Sequence, residues 1–361
     1  MKQQTVNTIH DAIIWTVNQK TELASIHIRI MNGYESIGIG FGGDVDCEKF
    51  VRLAALAEKL KFSSLWVQEG DDRSSMQLSA AALFATRQIV VGTAITSPFR
   101  RHPHTLAVET ATLNEMSNNR FILGLGAAER LIKSFGLNAK PIEAIRDSFA
   151  IIRGLAASDN FTYDGEVFSL TTSQPQLKPN SRVFLGAIGP RMLDLVGELA
   201  DGLLITRRGT FSLKYTKYAI SKVVEKAKLV GRDPSKFNFL GFFETSISKD
   251  ENEAKQFAKR ILGTYTIPRT PKLVLGLAGI PEDTVEQVRR NYFQGDMQAA
   301  VNCVTDELVD QFALAGTPDQ CLEKLYRFAE TGLKCPVLYI HGPNHEMAAE
   351  LAAERMVPNL I

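Results

Sequence analysis

A short apolar strand followed by an amphipathic helix recurs along most of this 361-residue chain. The first unit has a predicted strand at 36–41 and a predicted helix at 44–60, whose apolar residues fall at helical spacing. Seven more strands are predicted at 63–67, 89–96, 120–125, 182–187, 202–206, 237–247 and 336–340. Seven more helices are predicted at 74–86, 103–116, 142–156, 190–200, 213–230, 251–262 and 318–330. Eight alternating units predict an α/β fold, a single (β/α)8 TIM barrel, rather than a doubly wound sheet.

Three segments lie outside this repeating pattern. The sequence "FTYDGEVFSL", within 160–170, predicts a β-hairpin with an Asp-Gly turn. Residues 263–310 predict a helical insertion before the last unit. Residues 1–33 contain no strand that a barrel needs, so we expect an N-terminal extension followed by one barrel domain at 34–361.

Composition excludes several classes of partner. Lys and Arg number 41 against 40 Asp and Glu, so the overall charge favours neither a nucleic-acid partner nor an anionic membrane. No apolar run approaches the length of a membrane span. The four cysteines form no CxxC motif and no metal-like spacing, which predicts reduced thiols, a cytoplasmic protein and no metal site.

A dinucleotide-binding fold is the alternative at the first strand. Gly38, Gly40 and Gly43 satisfy GxGxxG, and Glu69 ends the second strand, where such a fold places an acidic residue for the ribose. However, only two strand residues precede Gly38, and Asp44 resembles a helix cap directly after Gly43. With eight predicted units in the chain, the barrel is favoured.

The active site of a (β/α)8 barrel lies on the loops that follow the carboxyl ends of the strands. Two such loops are glycine-bearing, "GLGAAER" and "LGAIGPR", and their backbone N–H groups can cradle an anion. Alternatively, these glycines only permit tight turns. Because Arg207 and Arg208 follow the next strand, the combination favours a small molecule that carries a phosphate.

The stretch "VGTAITSPFRRHPHTLAVETATLNEMSNNRFILGLGAAE" resembles the signature of the luciferase-like, or bacterial-luciferase, superfamily of flavin- and deazaflavin-dependent oxidoreductases. The resemblance continues through "VFLGAIGPRMLDLVGELADGLLI" and "FALAGTPDQCLEKLYRFAETGL". Within the superfamily, the chain most resembles the methylenetetrahydromethanopterin reductases, whose cofactor is the deazaflavin coenzyme F420. The resemblance therefore implies F420 as the cofactor, with FMN as the alternative.

The resemblance also implies where the cofactor binds. The third strand is expected to bulge at a non-prolyl cis peptide between Ala94 and Ile95, beneath the deazaflavin ring. The small side chains of Thr93 and Ala94 would let the ring approach. The implied cofactor-binding residues are Thr93, Ala94, Ile95 and Thr96 at the bulge, Gly126, Ala127 and Ala128 beside the ring, Gly186, Ala187, Ile188, Gly189 and Pro190 at the phosphate, and Arg207 and Arg208.

The candidate catalytic residues depart from the pattern of the relatives. The methanopterin reductases have a glutamate where this chain has Gly40, and related deazaflavin enzymes have Asp-His where this chain has Glu69 and Gly70. Glu69 and Glu129 remain as carboxylates at strand ends, and either is a candidate proton donor. Glu129 has an alternative interpretation as a carboxylate that favours a helix N-terminus.

Three functions stay open at this point. The first is an F420-dependent oxidoreductase that transfers a hydride to or from a small organic substrate, with a methylene-tetrahydropterin among the candidates. The second is an FMN-dependent monooxygenase, and the third is a cofactor-binding protein without catalysis.

Relatives pair through their second and third helices, which in this chain are rich in alanine, so a homodimer or a homotetramer is expected. Arg100, Arg101 and His102 are expected to shape the start of the third helix and contact the partner subunit.

Overall fold

The structure is a computed structural model that describes residues 34–41, 45–157, 160–173 and 182–360, without the side chains of residues 129 and 130. The expected N-terminal extension at 1–33 lies outside the described residues. The same holds for Gly43 and Asp44, on which the dinucleotide alternative partly rested.

Eight parallel strands close into a barrel. They are β1 Gly38–Phe41, β2 Ser64–Val67, β3 Val90–Thr93, β4 Phe121–Leu125, β7 Val183–Ala187, β8 Gly202–Ile205, β9 Asn238–Ile247 and β11 Cys335–Ile340; β5, β6 and β10 lie outside the barrel. The eight strands follow one another around the barrel in this order, and β11 pairs with β1 to close it. The predicted (β/α)8 barrel is confirmed, and the open-sheet alternative is wrong because the sheet has closed on itself.

The first six predicted helices cover the outside of the barrel. They are Cys47–Lys59, Ser75–Ala85, Pro103–Ser117, Pro141–Ala157, Pro190–Leu199 and Leu213–Leu229. Short helices at Glu129–Ser134 and Arg207–Thr210 follow β4 and β8 directly. None of the helices in the described part of the chain is long and apolar enough to span a membrane.

The helix after the last strand differs from the prediction. The helices predicted at 251–262 and 318–330 appear at Glu251–Ile261 and Pro318–Ala329, and both lie between β9 and β11, so neither follows the last strand. The helix that follows the last strand is His345–Leu360, which was not predicted. Several buried residues of this helix, such as Ala349 and Ala352, are alanines. Because alanine side chains are small, the sequence shows no clear apolar stripe on the side that packs against the barrel.

The hairpin and the helical insertion both form, but the Asp-Gly pair does not make the turn itself: Asp164 ends the first strand, and residues 165–168 form the loop. Strands β5 Asn160–Asp164 and β6 Ser169–Ser173 make an antiparallel hairpin. The insertion is helical, with a π-helix at Leu262–Thr266 and helices at Ile267–Arg269, Lys272–Ala278, Glu282–Phe293, Met297–Asn302 and Asp306–Phe312. A short strand β10, Leu314–Gly316, pairs with β9 and leads to Thr317, which forms a capping box with Gln320.

The barrel interior contains a closed layer of apolar side chains. A second layer, of different composition, lies nearer the carboxyl ends of the strands. The closed layer consists of Trp66, Ile122, Phe184, Leu204, Leu240, Phe242, Cys335 and Val337. Side chains alternate along a strand, so the residues two positions further toward the carboxyl ends also face inward. This upper layer, at the mouth of the barrel, forms the floor of the candidate site.

Candidate active site

The mouth of the barrel has two halves with different chemistry. On β3, β4 and β7, which are neighbours, the inward positions carry small residues, and only Ile95 is large; we call Ala94, Ile95, Gly126 and Gly186 the glycine half. On the remaining arc, apart from Gly40 on β1, hydrogen-bonding side chains from the strands and from the helix Arg207–Thr210 line the mouth. We call this set the polar half, and it consists of Gln68, Arg207, Glu244, Tyr339 and His341.

Ile95 organises the glycine half. The peptide bond between Ala94 and Ile95 is cis. A Cβ atom on Gly126 would lie 1.9 Å from Cδ1 of Ile95, and a Cβ on Gly186 would lie 3.0 Å from its Cγ2. The glycines are therefore required for Ile95 to lie across both strand ends. The result is a smooth apolar surface with exposed backbone at its edge.

The four residues expected to bind the cofactor at the bulge divide into two pairs. Ala94 and Ile95 are half-buried at the mouth. Thr93 is fully buried, and its hydroxyl donates to the carbonyl of Gly124 at 2.8 Å. Thr96 is also fully buried, and its hydroxyl donates to Oε2 of Glu69 at 2.8 Å. The two threonine side chains thus hold the bulge in place from behind.

The loop after β4 brings three of the predicted residues to the mouth. Gly126 is buried, and Ala127 and Ala128 are half-buried. Ala128 has a φ of 52°, in the left-handed region, and it precedes the helix Glu129–Ser134. Glu129 is the first residue of this helix, but its side chain lies outside the described part of the structure, so the expectation for its carboxylate stays a prediction.

The loop after β7 ends at an open helix N-terminus. Gly189 is exposed and is the N-cap of the helix Pro190–Leu199. A Cβ atom on Gly189 would meet no atom within 4 Å among the described residues. Gly186 and Ile188 are half-buried, and Ala187 is buried. Space beside free N–H groups at the start of a helix suits a phosphate group.

Glu244 is the centre of the polar half. Its side chain is only 1% exposed. It accepts hydrogen bonds from Nη1 of Arg207 at 3.1 Å and from the hydroxyl of Thr266, and its Oε2 lies 2.6 Å from Nε2 of His341. Burial by itself would raise the pKa of Glu244, but Arg207 and His341 outweigh it and lower the pKa to about 2. Glu244 is therefore a carboxylate at any pH at which the protein works.

Arg207 is directed inward. Its guanidinium lies 4.2 Å from the ring centroid of Tyr339 and 4.7 Å from that of Tyr265, and its Nη2 donates to Oε1 of Gln68 at 2.9 Å. Burial would lower the pKa of Arg207, but Glu244 raises it above its ordinary value. Arg208 donates to the carbonyl of Arg269 at 3.2 Å. Both arginines that were predicted to bind phosphate therefore have hydrogen-bond partners within the protein.

Tyr339 fills the space above Gly40. A Cβ atom on Gly40 would lie 2.7 Å from Cδ2 of the Tyr339 ring. The Tyr339 hydroxyl donates to Oε1 of Gln68 at 2.9 Å, the same atom that accepts from Arg207. No side chain therefore projects into the mouth from this position of β1, and an aromatic ring from β11 takes its place.

Both carboxylate oxygens of Glu69, the other candidate proton donor, accept hydrogen bonds. Its side chain is 7% exposed, and Nη1 of Arg101 donates to its Oε2 at 2.6 Å. The backbone N–H and the hydroxyl of Ser75 bind its two oxygens at 3.1 and 2.8 Å, and Thr96 also binds Oε2. Glu69 thereby connects the end of β2 to the Ala94–Ile95 bulge and to the helix Ser75–Ala85.

Sequence reasoning missed the polar half almost entirely. Glu244 was counted as part of an apolar strand, although it is the charged residue in "FLGFFETSI" near the carboxyl end of β9. A charged side chain at an inward position of a strand buried on both faces needs a partner. That signal was available, but it does not say which partner.

The match to a family model decides the family. The model of the luciferase-like monooxygenases matches residues 23–335. The chain belongs to the luciferase-like family. The resemblance noted in the sequence is therefore confirmed.

Relatives within this family are similar over nearly the whole chain. The chain is 30% identical to the 5,10-methylenetetrahydromethanopterin reductase of Archaeoglobus fulgidus, over 90% of this chain and 99% of that one. It is 24% identical to the F420-dependent glucose-6-phosphate dehydrogenase of Microbacterium testaceum, over 90% and 98% of the two chains. The solved structure of the coenzyme F420-dependent tetrahydromethanopterin reductase of Methanopyrus kandleri has a TM-score of 0.82 and 27% identity, and the match covers 91% of this chain and all of that one.

Proposed function

We propose that the protein is a coenzyme F420-dependent oxidoreductase that transfers a hydride to a small organic substrate. The observation that carries the proposal is the glycine half, an apolar surface of Ala94 and Ile95 that ends at the open helix N-terminus at Gly189. A flat ring and a phosphate on one ligand match these two features. When bound, the deazaflavin supplies the hydride, and the protein supplies its position.

The residues that would hold the cofactor are assigned from their positions on the loops at the mouth. Ala94 and Ile95 would support the ring, and Gly126, Ala127 and Ala128 would lie along its side. Gly186, Ile188 and Gly189 would bind the phosphate end through backbone N–H groups, with Pro190 starting the helix. The relatives named for F420 support this cofactor over FMN, and a methylene-tetrahydropterin is the substrate class that their names favour.

The two carboxylates predicted to be catalytic receive different roles. Glu69 is a positioning residue, because its oxygens accept from Arg101, Ser75 and Thr96 and support the bulge from below. Glu129 remains a candidate proton donor on sequence grounds. Its replacement by glutamine should leave cofactor binding nearly unchanged and slow any reaction that takes a proton from it by roughly a hundredfold.

The test of the proposed function is a pair of titrations followed by a substrate screen. Purified protein is titrated with F420 and with FMN, and binding is followed by fluorescence. Reduced F420 is then offered with a panel of methylene-tetrahydropterins, imines and carbonyl compounds, and its oxidation is followed by absorbance. Preference for F420 with turnover of one class supports the proposal. Preference for FMN would favour the monooxygenase, and F420 binding without any turnover would favour a binding protein.

We also propose that two copies of the chain pair through the helices Ser75–Ala85 and Pro103–Ser117. Phe84 is 74% exposed on the first, and Val108 and Met116 are exposed on the second. Exposed apolar side chains on neighbouring helices are typical of a subunit interface. We expect at least a dimeric mass in light scattering, and a lower mass for Phe84→Glu. A monomeric mass for the parent protein at micromolar concentration would contradict this.

A further inference from the structure

We propose that His341 donates the proton that the substrate takes up when it is reduced, and that Glu244 is the positioning residue that holds the His341 ring. The inference rests on the proposed function, since it assigns a residue to that reaction. Neither residue was singled out for chemistry by the sequence or by its similarity to other proteins.

The position of His341 follows from the register of β11. Val337 belongs to the closed apolar layer, Tyr339 lies two residues further up in the mouth, and His341 follows at the next inward position. The backbone N–H of His341 donates to the carbonyl of Thr245 at 2.8 Å, which fixes the chain at this point. The side chain is 11% exposed. His341 therefore lies at the top of the polar half, where a ligand in the mouth can reach it.

The two ring nitrogens of His341 have different surroundings. Nε2 lies 2.6 Å from Oε2 of Glu244, and the Tyr339 ring packs at 5.4 Å between centroids. Within the described ranges, no residue forms a hydrogen bond with Nδ1. A carboxylate accepts only, so Nε2 carries a proton that it donates to Glu244. Nδ1 is then the nitrogen that can give a proton to a ligand.

The other described groups at the mouth are poor proton donors. Glu244 stays ionised because Arg207 and His341 lower its pKa to about 2 against the effect of burial. The Tyr339 hydroxyl donates to Gln68, and both oxygens of Glu69 accept from several donors. His341 combines partial exposure with a fixed orientation and an open nitrogen.

The step balances as follows. The carbon of a C=N or C=O group, or of an aminal that opens, accepts the hydride. The electron pair that it displaces moves to the nitrogen or oxygen, which takes the proton from Nδ1. The electrons of the Nδ1–H bond return to the ring, which becomes neutral, and a hydronium ion or buffer acid in the solvent returns the proton to Nδ1. No reactant is needed beyond the reduced 5-deazaflavin, the substrate and a proton from the solvent.

The first arm of the experiment needs no turnover. Cofactor-free protein is treated with diethyl pyrocarbonate, and acylation of His341 is measured by mass spectrometry with and without F420. We expect His341 to react in the free protein and to be protected by F420. Acylation of His104, on the helix Pro103–Ser117, serves as the control and should not change.

The second arm compares acceptors that differ in their need for a proton. His341→Gln should slow single-turnover reduction of a neutral imine or carbonyl by roughly a hundredfold. It should slow a preformed cationic iminium far less, because that carbon accepts a hydride without proton transfer. Glu244→Gln should show the same selectivity more weakly, and F420 affinity should stay within about twofold in both variants, the range of a small energetic change. His104→Gln is the matched control.

Each outcome decides one proposal. An unprotected His341, or equal slowing of both kinds of acceptor, would overturn the role of His341 and leave the proposed function intact. Selective slowing by Glu129→Gln in place of His341→Gln would move the donor to Glu129. Failure of the parent protein to bind F420 would refute the proposed function, and the inference that rests on it would fall too. The acylation arm uses the unmutated protein, so it keeps the proposal open to refutation should His341→Gln not fold.

Discussion

The glycine half and the polar half face each other across the mouth of one barrel, yet one is made mainly of residues with little or no side chain and the other of hydrogen-bonding side chains. In the glycine half, Gly126 and Gly186 lack side chains so that Ile95 can lie flat over two strands. In the polar half, Glu244 and Arg207 are buried and joined by an ion pair. One barrel mouth can therefore present an apolar surface on one side and fixed charges on the other, because each strand contributes its own residues to the mouth.

The two halves also differ in what they contribute to stability. A buried ion pair is costly to desolvate, and removal of one partner leaves an uncompensated charge. A substitution in the polar half is therefore expected to change both the candidate site and the stability of the fold. At Gly189, by contrast, an added Cβ atom meets no atom within 4 Å in the described part of the chain, so protein packing does not oppose a side chain there.

The largest expected effect is the loss of the buried carboxylate. Glu244→Leu leaves Arg207 buried without its carboxylate partner, and we expect the free energy of unfolding in urea to fall by about 3–5 kcal/mol. Glu198→Leu is the control, since Glu198 pairs with Arg146 near the surface, where an ion pair contributes at most about 1 kcal/mol. The double variant Glu244→Leu/Arg207→Met should recover much of the loss. Equal losses in Glu244→Leu and Glu198→Leu would show that the polar half is not a buried ionic network.

The second expected effect is a loss of stability in acid. The pKa of Glu244 is about 2 in the folded protein and 4.5 ordinarily, so its contribution is fully present above pH 4.5 and is lost as the pH falls toward 2. A difference of this size corresponds to about 3 kcal/mol. Unfolding in urea at several pH values between these limits should show a steeper decline for the parent protein than for Glu244→Leu/Arg207→Met. Parallel declines would contradict the lowered pKa.

The third effect belongs to the glycine half and concerns the cofactor. Gly189→Val should leave folding unchanged but weaken F420 binding by about 2 kcal/mol, roughly thirtyfold, because the added methyl groups keep the phosphate from the backbone. Gly276→Val is the matched control, since a Cβ there also meets no described atom within 4 Å and Gly276 lies in the insertion helix Lys272–Ala278. Unchanged affinity in Gly189→Val would show that the phosphate binds elsewhere.

The contrast between the halves also explains what the sequence could predict. The glycine half lies in contiguous motifs, and the barrel itself follows from the alternation of apolar strands and amphipathic helices, which is local information. The polar half joins residues far apart in the chain. Gln68 and Arg207 are separated by 139 positions, and Gln68 and Tyr339 by 271. Hydrophobic periodicity says that Glu244 is buried, but only the closure of the barrel brings its partners together.

The helix His345–Leu360 was missed for a different reason. Four of its seven buried residues are alanines, whose hydrophobicity differs little from that of the exposed side, and Pro358 near its end predicts a break in the helix. In the structure, the proline lies in the last turn. A barrel with eight strands requires a covering element after the last one, so the architecture predicts this helix better than the local pattern does.

The smallest expected effect is the loss of one hydroxyl from the polar half. Tyr339→Phe removes the hydrogen bond to Oε1 of Gln68, but Arg207 still donates to that atom and the ring still packs over Gly40. We therefore expect a loss of about 1 kcal/mol in unfolding free energy. The control is Tyr34→Phe, where the buried hydroxyl donates to the carbonyl of Leu325 at 2.7 Å. Losing that donor should cost at least as much. A clearly larger loss of unfolding free energy for Tyr339→Phe than for Tyr34→Phe would contradict this expectation. It would show that the Tyr339 hydroxyl, and not Arg207, is the main hydrogen-bond partner of Gln68.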